Sequence, residues 1–107
     1  MSKITKILFG ASLSLAASLS FNTMAADGEA LYTAKMCQTC HGAEGKAPIM
    51  ALYPKINGQN KEYLVAQMKD IKSGARSNGM SAAMKAMVAN VSEDEMVAIA
   101  EYLSQIK

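Results

Sequence analysis

The stretch Cys37-Gln38-Thr39-Cys40-His41 gathers both cysteines and the single histidine of this chain into five consecutive residues. Two thiols separated by two residues can each form a thioether with one vinyl group of a haem. The residue that follows then sets an imidazole beneath the iron, and C-x-x-C-H is the pattern of c-type haem attachment. Three other uses of such thiols fit less well. A disulfide needs no histidine. A thioredoxin-like redox pair needs a βαβ setting, which the flanking sequence lacks. A zinc site commonly takes four cysteine or histidine ligands, and only three such residues exist here. The motif therefore points to one covalently held haem c, with Cys37 and Cys40 as the attachment points and His41 as the proximal iron ligand.

At 107 residues the chain has room for one small domain. It begins as an export signal does. Lys3 and Lys6 precede an apolar stretch of small residues, Ile7 to Phe21, and Thr23-Met24-Ala25 offers a cleavage site after Ala25, with Ala26 the second choice. The apolar run is shorter than the roughly 20 residues that span a bilayer, and Ser12, Ser14, Ser18 and Ser20 interrupt it. We therefore read residues 1–25 as a cleaved signal peptide and 26–107 as the domain. No stable membrane anchor and a periplasmic location are expected. A domain that short usually needs a staple, and a covalent haem is a large flat apolar body for helices to pack around. The apoprotein is expected to be largely unfolded.

Beyond the leader, nine basic side chains balance nine acidic ones. Between Lys46 and Lys85, seven basic residues face only Glu62 and Asp70, whereas the last helix carries Glu93, Asp94, Glu95 and Glu101. This separation predicts a charge dipole able to steer an acidic partner. Nucleic-acid binding has no support: there is no net positive charge and no interleaving of aromatic with basic residues.

Helical signals recur along the domain. Asp27 is a plausible N-cap for a helix from Gly28 to Met36, with Ala30, Leu31 and Ala34 inward. Gly42, Gly45, Pro48 and Pro54 mark an extended loop. Asn60 caps a helix over Lys61 to Ser73, which Gly74 closes, and Leu64, Met68 and Ile71 form its apolar stripe. A methionine-rich segment spans Met80 to Ala89. Ser92 and Glu95 form a capping box for a last helix striped by Met96, Ile99, Ala100, Leu103 and Ile106. No alternating pattern predicts a strand, so the class is all-α.

With one histidine, the iron takes its second axial ligand from another residue type. A methionine thioether is soft and raises the reduction potential. Met68 and Met96 lie on core stripes, Met36 adjoins the attachment site, and Met80, Met84 and Met87 share one helical face. Spacing does not choose among these three.

Several landmarks together resemble a known family: Cys37 to Gly42, Gly45, Pro48, the run Tyr53-Pro54-Lys55-Ile56-Asn57-Gly58-Gln59, then Tyr63, Gln67, Gly74, Arg76, the methionine segment and Ser92 to Tyr102. The chain resembles a small bacterial class I c-type cytochrome of the monohaem c4-like or c553-like group. The resemblance implies a class I cytochrome c fold, three main helices with short helical segments and loops around one haem. It implies Met84, eight residues before Ser92, as the distal ligand, with Met80 the alternative. It gives the Pro48 carbonyl the task of accepting the His41 Nδ1–H. It places Tyr102 where the first and last helices cross, leaves Gly28 or Ala30 to meet the last helix, and offers Arg76 and Gln59 to a haem propionate.

An iron with both axial positions filled does not readily bind oxygen or peroxide. The expected role is therefore that of a soluble periplasmic electron carrier rather than an enzyme. It would dock transiently on redox proteins such as a quinol-oxidising complex, a terminal oxidase or a periplasmic reductase. Two alternatives are a haem subunit of a larger periplasmic redox enzyme and a ligand-binding haem sensor or peroxidase.

Overall fold

A computed structural model describes residues 27–107; the expected signal peptide and its cleavage site lie outside the described residues. Within them the chain is all-helical, as the patterning predicts. The elements are α1 (Gly28–Ala34), α2 (Gln38–His41), a 3-10 turn (Ala43–Gly45), α3 (Lys61–Ser73), α4 (Ser81–Val88) and α5 (Glu93–Ser104).

Local chemistry explains where the helices begin and end. The Asp27 carboxylate accepts the Ala30 N–H at 3.1 Å, and Asn60 Oδ1 accepts the Tyr63 N–H at 2.9 Å. Each bond satisfies one of the donors that a helix start leaves free. At α5 the capping box is complete: Ser92 Oγ accepts from Glu95 N at 3.2 Å, and Glu95 Oε1 accepts from Ser92 N at 2.9 Å. Gly74 closes α3 in the left-handed conformation, φ 90°.

The first helix is shorter than expected. It ends at Ala34 because Met36 turns to φ 63°. Cys37 N–H then reaches back to Tyr32 O and Met36 N–H to Thr33 O, both at 3.0 Å. These two bonds make a Schellman closure, with a methionine where glycine is usual. The sequence hides this stop because Met36 is a good helix former without glycine's freedom.

α3 and α5 pack together through the stripes expected of them. Leu64, Met68 and Ile71 meet Met96, Ile99, Ala100 and Leu103, and Val88 and Val91 close one end. Each of these side chains larger than Ala100 contributes about 1.5–3 kcal/mol on burial. The inward face of α1 differs from expectation. Ala30 and Ala34 are exposed, and Tyr32 is buried at 2% exposure beside half-buried Leu31.

The crossing of α1 and α5 settles which small residue meets the last helix. It is Gly28. A Cβ built there would lie 2.1 Å from Ala98 O and 2.7 Å from Tyr102 Cβ, so the two backbones touch. Tyr102 lies at this crossing, its ring 5.8 Å from that of Tyr32. Gly28→Ala therefore forces the helices apart. We expect it to cost about 1–3 kcal/mol, as overpacking of a tight contact does, read as a lower urea midpoint of the haem-loaded protein at unchanged slope.

Candidate functional site: a haem attachment centre

The Schellman closure of α1 delivers Cys37 directly into the next turn of helix. Cys40 N–H and His41 N–H both point back to Cys37 O, at 3.3 and 3.1 Å. Cys37, Cys40 and His41 thus share a single turn. Both thiols are free and half-buried. Burial pushes the Cys37 thiol up to about 11. Gln38, inside the motif, keeps its Oε1 buried without a hydrogen-bond partner.

His41 is 7% exposed, and its Nδ1 lies 2.9 Å from the carbonyl oxygen of Pro54. A carbonyl only accepts, so Nδ1 carries the proton. Nε2 then keeps its lone pair free for a metal. The expected acceptor was Pro48, and this corrects it. The path of the loop gives the reason. Ile49 N–H bonds Cys40 O at 3.1 Å, which pins the chain beside α2 just after Pro48. The chain then turns, with Tyr53 N–H on Met50 O, and Ile56 N–H locks onto Gly45 O at 2.9 Å. That return stroke brings Pro54 to the imidazole. Pro48 is a half-buried loop residue ahead of the turn. The run Tyr53-Pro54-Lys55-Ile56 stood out as a landmark without a role; proline alone, present twice in one loop, does not say which carbonyl faces the ring.

Two further elements surround this centre. Tyr32 donates its hydroxyl to Gly42 O at 2.7 Å in a buried setting, tying α1 to the turn that follows His41. No sequence pattern announced this bond, because Tyr32 lies off the expected inner face. The methionines behave as three groups. Met68 and Met96 are core, at 8% and 1% exposure. Met36, Met50, Met80 and Met87 are exposed. Met84, in the middle of α4, is half-buried and packs against the core.

The residues present fit a covalent haem. There are two free thiols in one turn, an imidazole with a free Nε2, and apolar side chains left bare in the loop after the motif and just ahead of α4. Ile49 is 64% exposed, Leu52 69% and Met80 41%. Solitary exposed apolar residues are ordinary, but a run of them next to a reactive motif marks a surface meant to be covered.

Two ion pairs link the basic segment to the acidic last helix. The acidic last helix folds against the basic segment. Lys61 Nζ lies 3.0 Å from Glu101, and Lys69 Nζ lies 3.1 Å from Glu93. Lys35 Nζ approaches Glu95 at 3.4 Å. These pairs are partly exposed, and each contributes little stability. Their effect is to neutralise the helix bundle locally. Among the described residues, Lys46, Lys55, Lys72, Arg76, Lys85 and Lys107 stand outside these ion pairs. Arg76 gives its guanidinium to Gln67 Oε1 at 2.9 Å, and Gln59 Oε1 accepts from Asn60 N.

An all-helical domain built around a C-x-x-C-H turn defines a small class I c-type cytochrome, a family whose cofactor is covalent, iron-bearing haem c, and Cys37 and Cys40 fit its attachment motif. The chain belongs to the family described as cytochrome c oxidase, cbb3-type, subunit III, whose model matches residues 23–103. Among similar proteins is a cytochrome c-553 of Nitratidesulfovibrio vulgaris, 36% identical over 97 residues, covering 88% of this chain and 93% of that protein. A cytochrome c4 of Pseudomonas aeruginosa is 39% identical over 83 residues, covering 78% of this chain and 38% of its own. A thiosulfate dehydrogenase electron acceptor of Stutzerimonas stutzeri is 38% identical over 92 residues, covering 79% of this chain and 41% of its own. This chain thus spans nearly all of the first relative and about two fifths of the other two.

The Tyr32 hydroxyl offers a test of this centre's frame. Burial is the main cause that lifts its pKa from the ordinary 10.0 to about 12. The fold holds the neutral phenol, so its contribution is complete below pH 10 and is lost as pH rises toward 12. Tyr32→Phe should cost about 1 kcal/mol near neutrality through the lost hydrogen bond. It should also flatten the decline in stability between pH 10 and 12, as read from urea unfolding at several pH values.

Proposed function

We propose that this protein is an exported, soluble carrier of single electrons, with its iron held by His41 on one side and Met84 on the other. The observation that carries the reading is the His41–Pro54 bond. It leaves Nε2 as the sole metal-binding nitrogen of the sole imidazole in the chain. The opposite ligand must then be of another type, and α4 offers thioethers. Met84 is favoured over Met80 and Met87 because it is half-buried against the core, while the other two are 41% and 36% exposed. Its place eight residues before Ser92 agrees with the resemblance. When bound, the haem supplies a one-electron ferric–ferrous couple. Pro54 O keeps the imidazole proton on Nδ1 and fixes the plane of the ring. A thioether at α4 favours the ferrous state. The α3–α5 core holds both ligand-bearing segments in place through the change of charge.

Likeness to cytochrome c-553 along almost its whole length supports a single-domain carrier working in transient contacts with other redox proteins. Residues 1–25 fit a leader for export to the periplasm. A second reading has one support. The family name refers to an oxidase subunit, and one relative is named as the electron acceptor of a dehydrogenase. In that reading the domain serves one larger complex, and it would leave cells in that complex rather than alone.

The ligand assignment is tested by two variants of the haem-loaded protein. Met84→Ala should abolish the weak red absorption of a ferric iron–thioether bond and lower the reduction potential, while Met80→Ala keeps both. The opposite pattern assigns the ligand to Met80.

A further inference from the structure

The turn that joins α4 to α5 is held by two lysines from two other elements. Lys35, at the end of α1, places Nζ 2.9 Å from Asn90 O. Lys72, in the last turn of α3, places Nζ 2.6 Å from Val91 O. These are consecutive backbone carbonyls just past the C-terminal end of α4, where the helix dipole concentrates negative charge. Lysine side chains commonly satisfy such terminal carbonyls. Lys35 is itself held by Glu95, the same carboxylate that caps α5. One network therefore joins α1, α3, α5 and the end of α4.

The other end of α4 lacks such a hold. Met80 precedes the helix without a side-chain cap, and Gly79 has φ 56° with open space where a side chain would be. The segment from Gly74 to Met80 is tied back through Arg76, by its backbone to Asp70 O and its side chain to Gln67. Val88, Val91 and the two lysines thus hold the C-terminal end of α4, and the buried Ser81 packs its start.

We propose that Lys35 and Lys72 are positioning residues. By clamping the carbonyls of Asn90 and Val91 they fix how α4 presents its methionine to the iron, and so how often that ligand lets go. The inference rests on the reading above that α4 supplies the sixth ligand. A local opening of α4 exposes the iron to an outside ligand, and removing the clamp raises the population of that open state. Two charge-assisted hydrogen bonds are at stake, each strong enough to shift an opening equilibrium about tenfold.

The experiment uses the haem-loaded full chain in the ferric state and measures the equilibrium constant for imidazole binding, together with the red absorption and urea unfolding. Lys72→Met should tighten imidazole binding about tenfold while the red absorption persists in its absence; Lys35→Met should act in the same direction, and the double variant more than either. Lys72→Arg, which keeps a donor, should restore most of the wild-type constant. If the red absorption is present and the variants lower urea stability without changing imidazole binding, the lysines are merely structural and the proposal is overturned while the ligand reading stands. If the wild-type protein lacks the red absorption, or loses none of it in any α4 methionine variant, the ligand reading itself fails and takes the proposal with it. Should Lys72→Met not fold, Lys35→Met and Lys72→Arg decide the matter, because unchanged imidazole binding in Lys35→Met overturns the clamp.

Discussion

Everything in this molecule is arranged about one turn of helix. Cys37, Cys40 and His41 occupy it together because Cys37 O receives the N–H groups of both Cys40 and His41. That geometry brings two thiols and an imidazole together within one turn of backbone, the arrangement in which the proposed anchors and iron ligand would hold a haem in one orientation. The turn is not free to move. Its near end is continuous with the Schellman closure of α1, its far end is bonded to Tyr32 through Gly42 O, and its ring is bonded to the Pro54 carbonyl. A carrier benefits from such constraint, because a ligand set that moves little between oxidation states wastes little energy in rearrangement.

The helices form the frame for that turn. Backbone contact at Gly28 lets α1 lie directly on α5, and α5 in turn buries its stripe against α3. Loop 46–58 is then stitched to the frame at both ends, by Ile49 N–H on Cys40 O and Gly58 N–H on Leu103 O. Charge follows the same logic. Lys61 and Lys69 of α3 meet Glu101 and Glu93 of α5, while Lys46, Lys55, Lys72, Arg76, Lys85 and Lys107 stand outside the ion pairs among the described residues. Four of these, Lys46, Lys55, Arg76 and Lys85, lie in the loops or on α4.

Much of this was legible in the residues because local chemistry dictated it. Asn60 and Gly74 bound α3, and Ser92 with Glu95 starts α5, since caps act over three or four residues. The C-x-x-C-H turn is likewise local. What was not legible depends on contacts distant in sequence. Pro54 rather than Pro48 faces His41 because the loop doubles back, and no local rule counts that reversal. Gly28 rather than Ala30 meets α5 at Ala98 and Tyr102, a contact made across some seventy residues of chain. The ion pairs Lys61–Glu101 and Lys69–Glu93 likewise need α3 and α5 side by side, which no local pattern states. Met36 ends α1 in a conformation its side chain gives no hint of. The place of Met84 on α4 agrees with the resemblance, and its bond to iron remains the proposal made above.

Mass spectrometry of the exported, intact polypeptide tests the centre of this account most directly. Protein made in cells that attach haem should carry one haem per chain through bonds that survive denaturation and acid extraction, and it should lose that added mass when Cys37 and Cys40 are both replaced by serine. A wild-type mass equal to the bare polypeptide would contradict it.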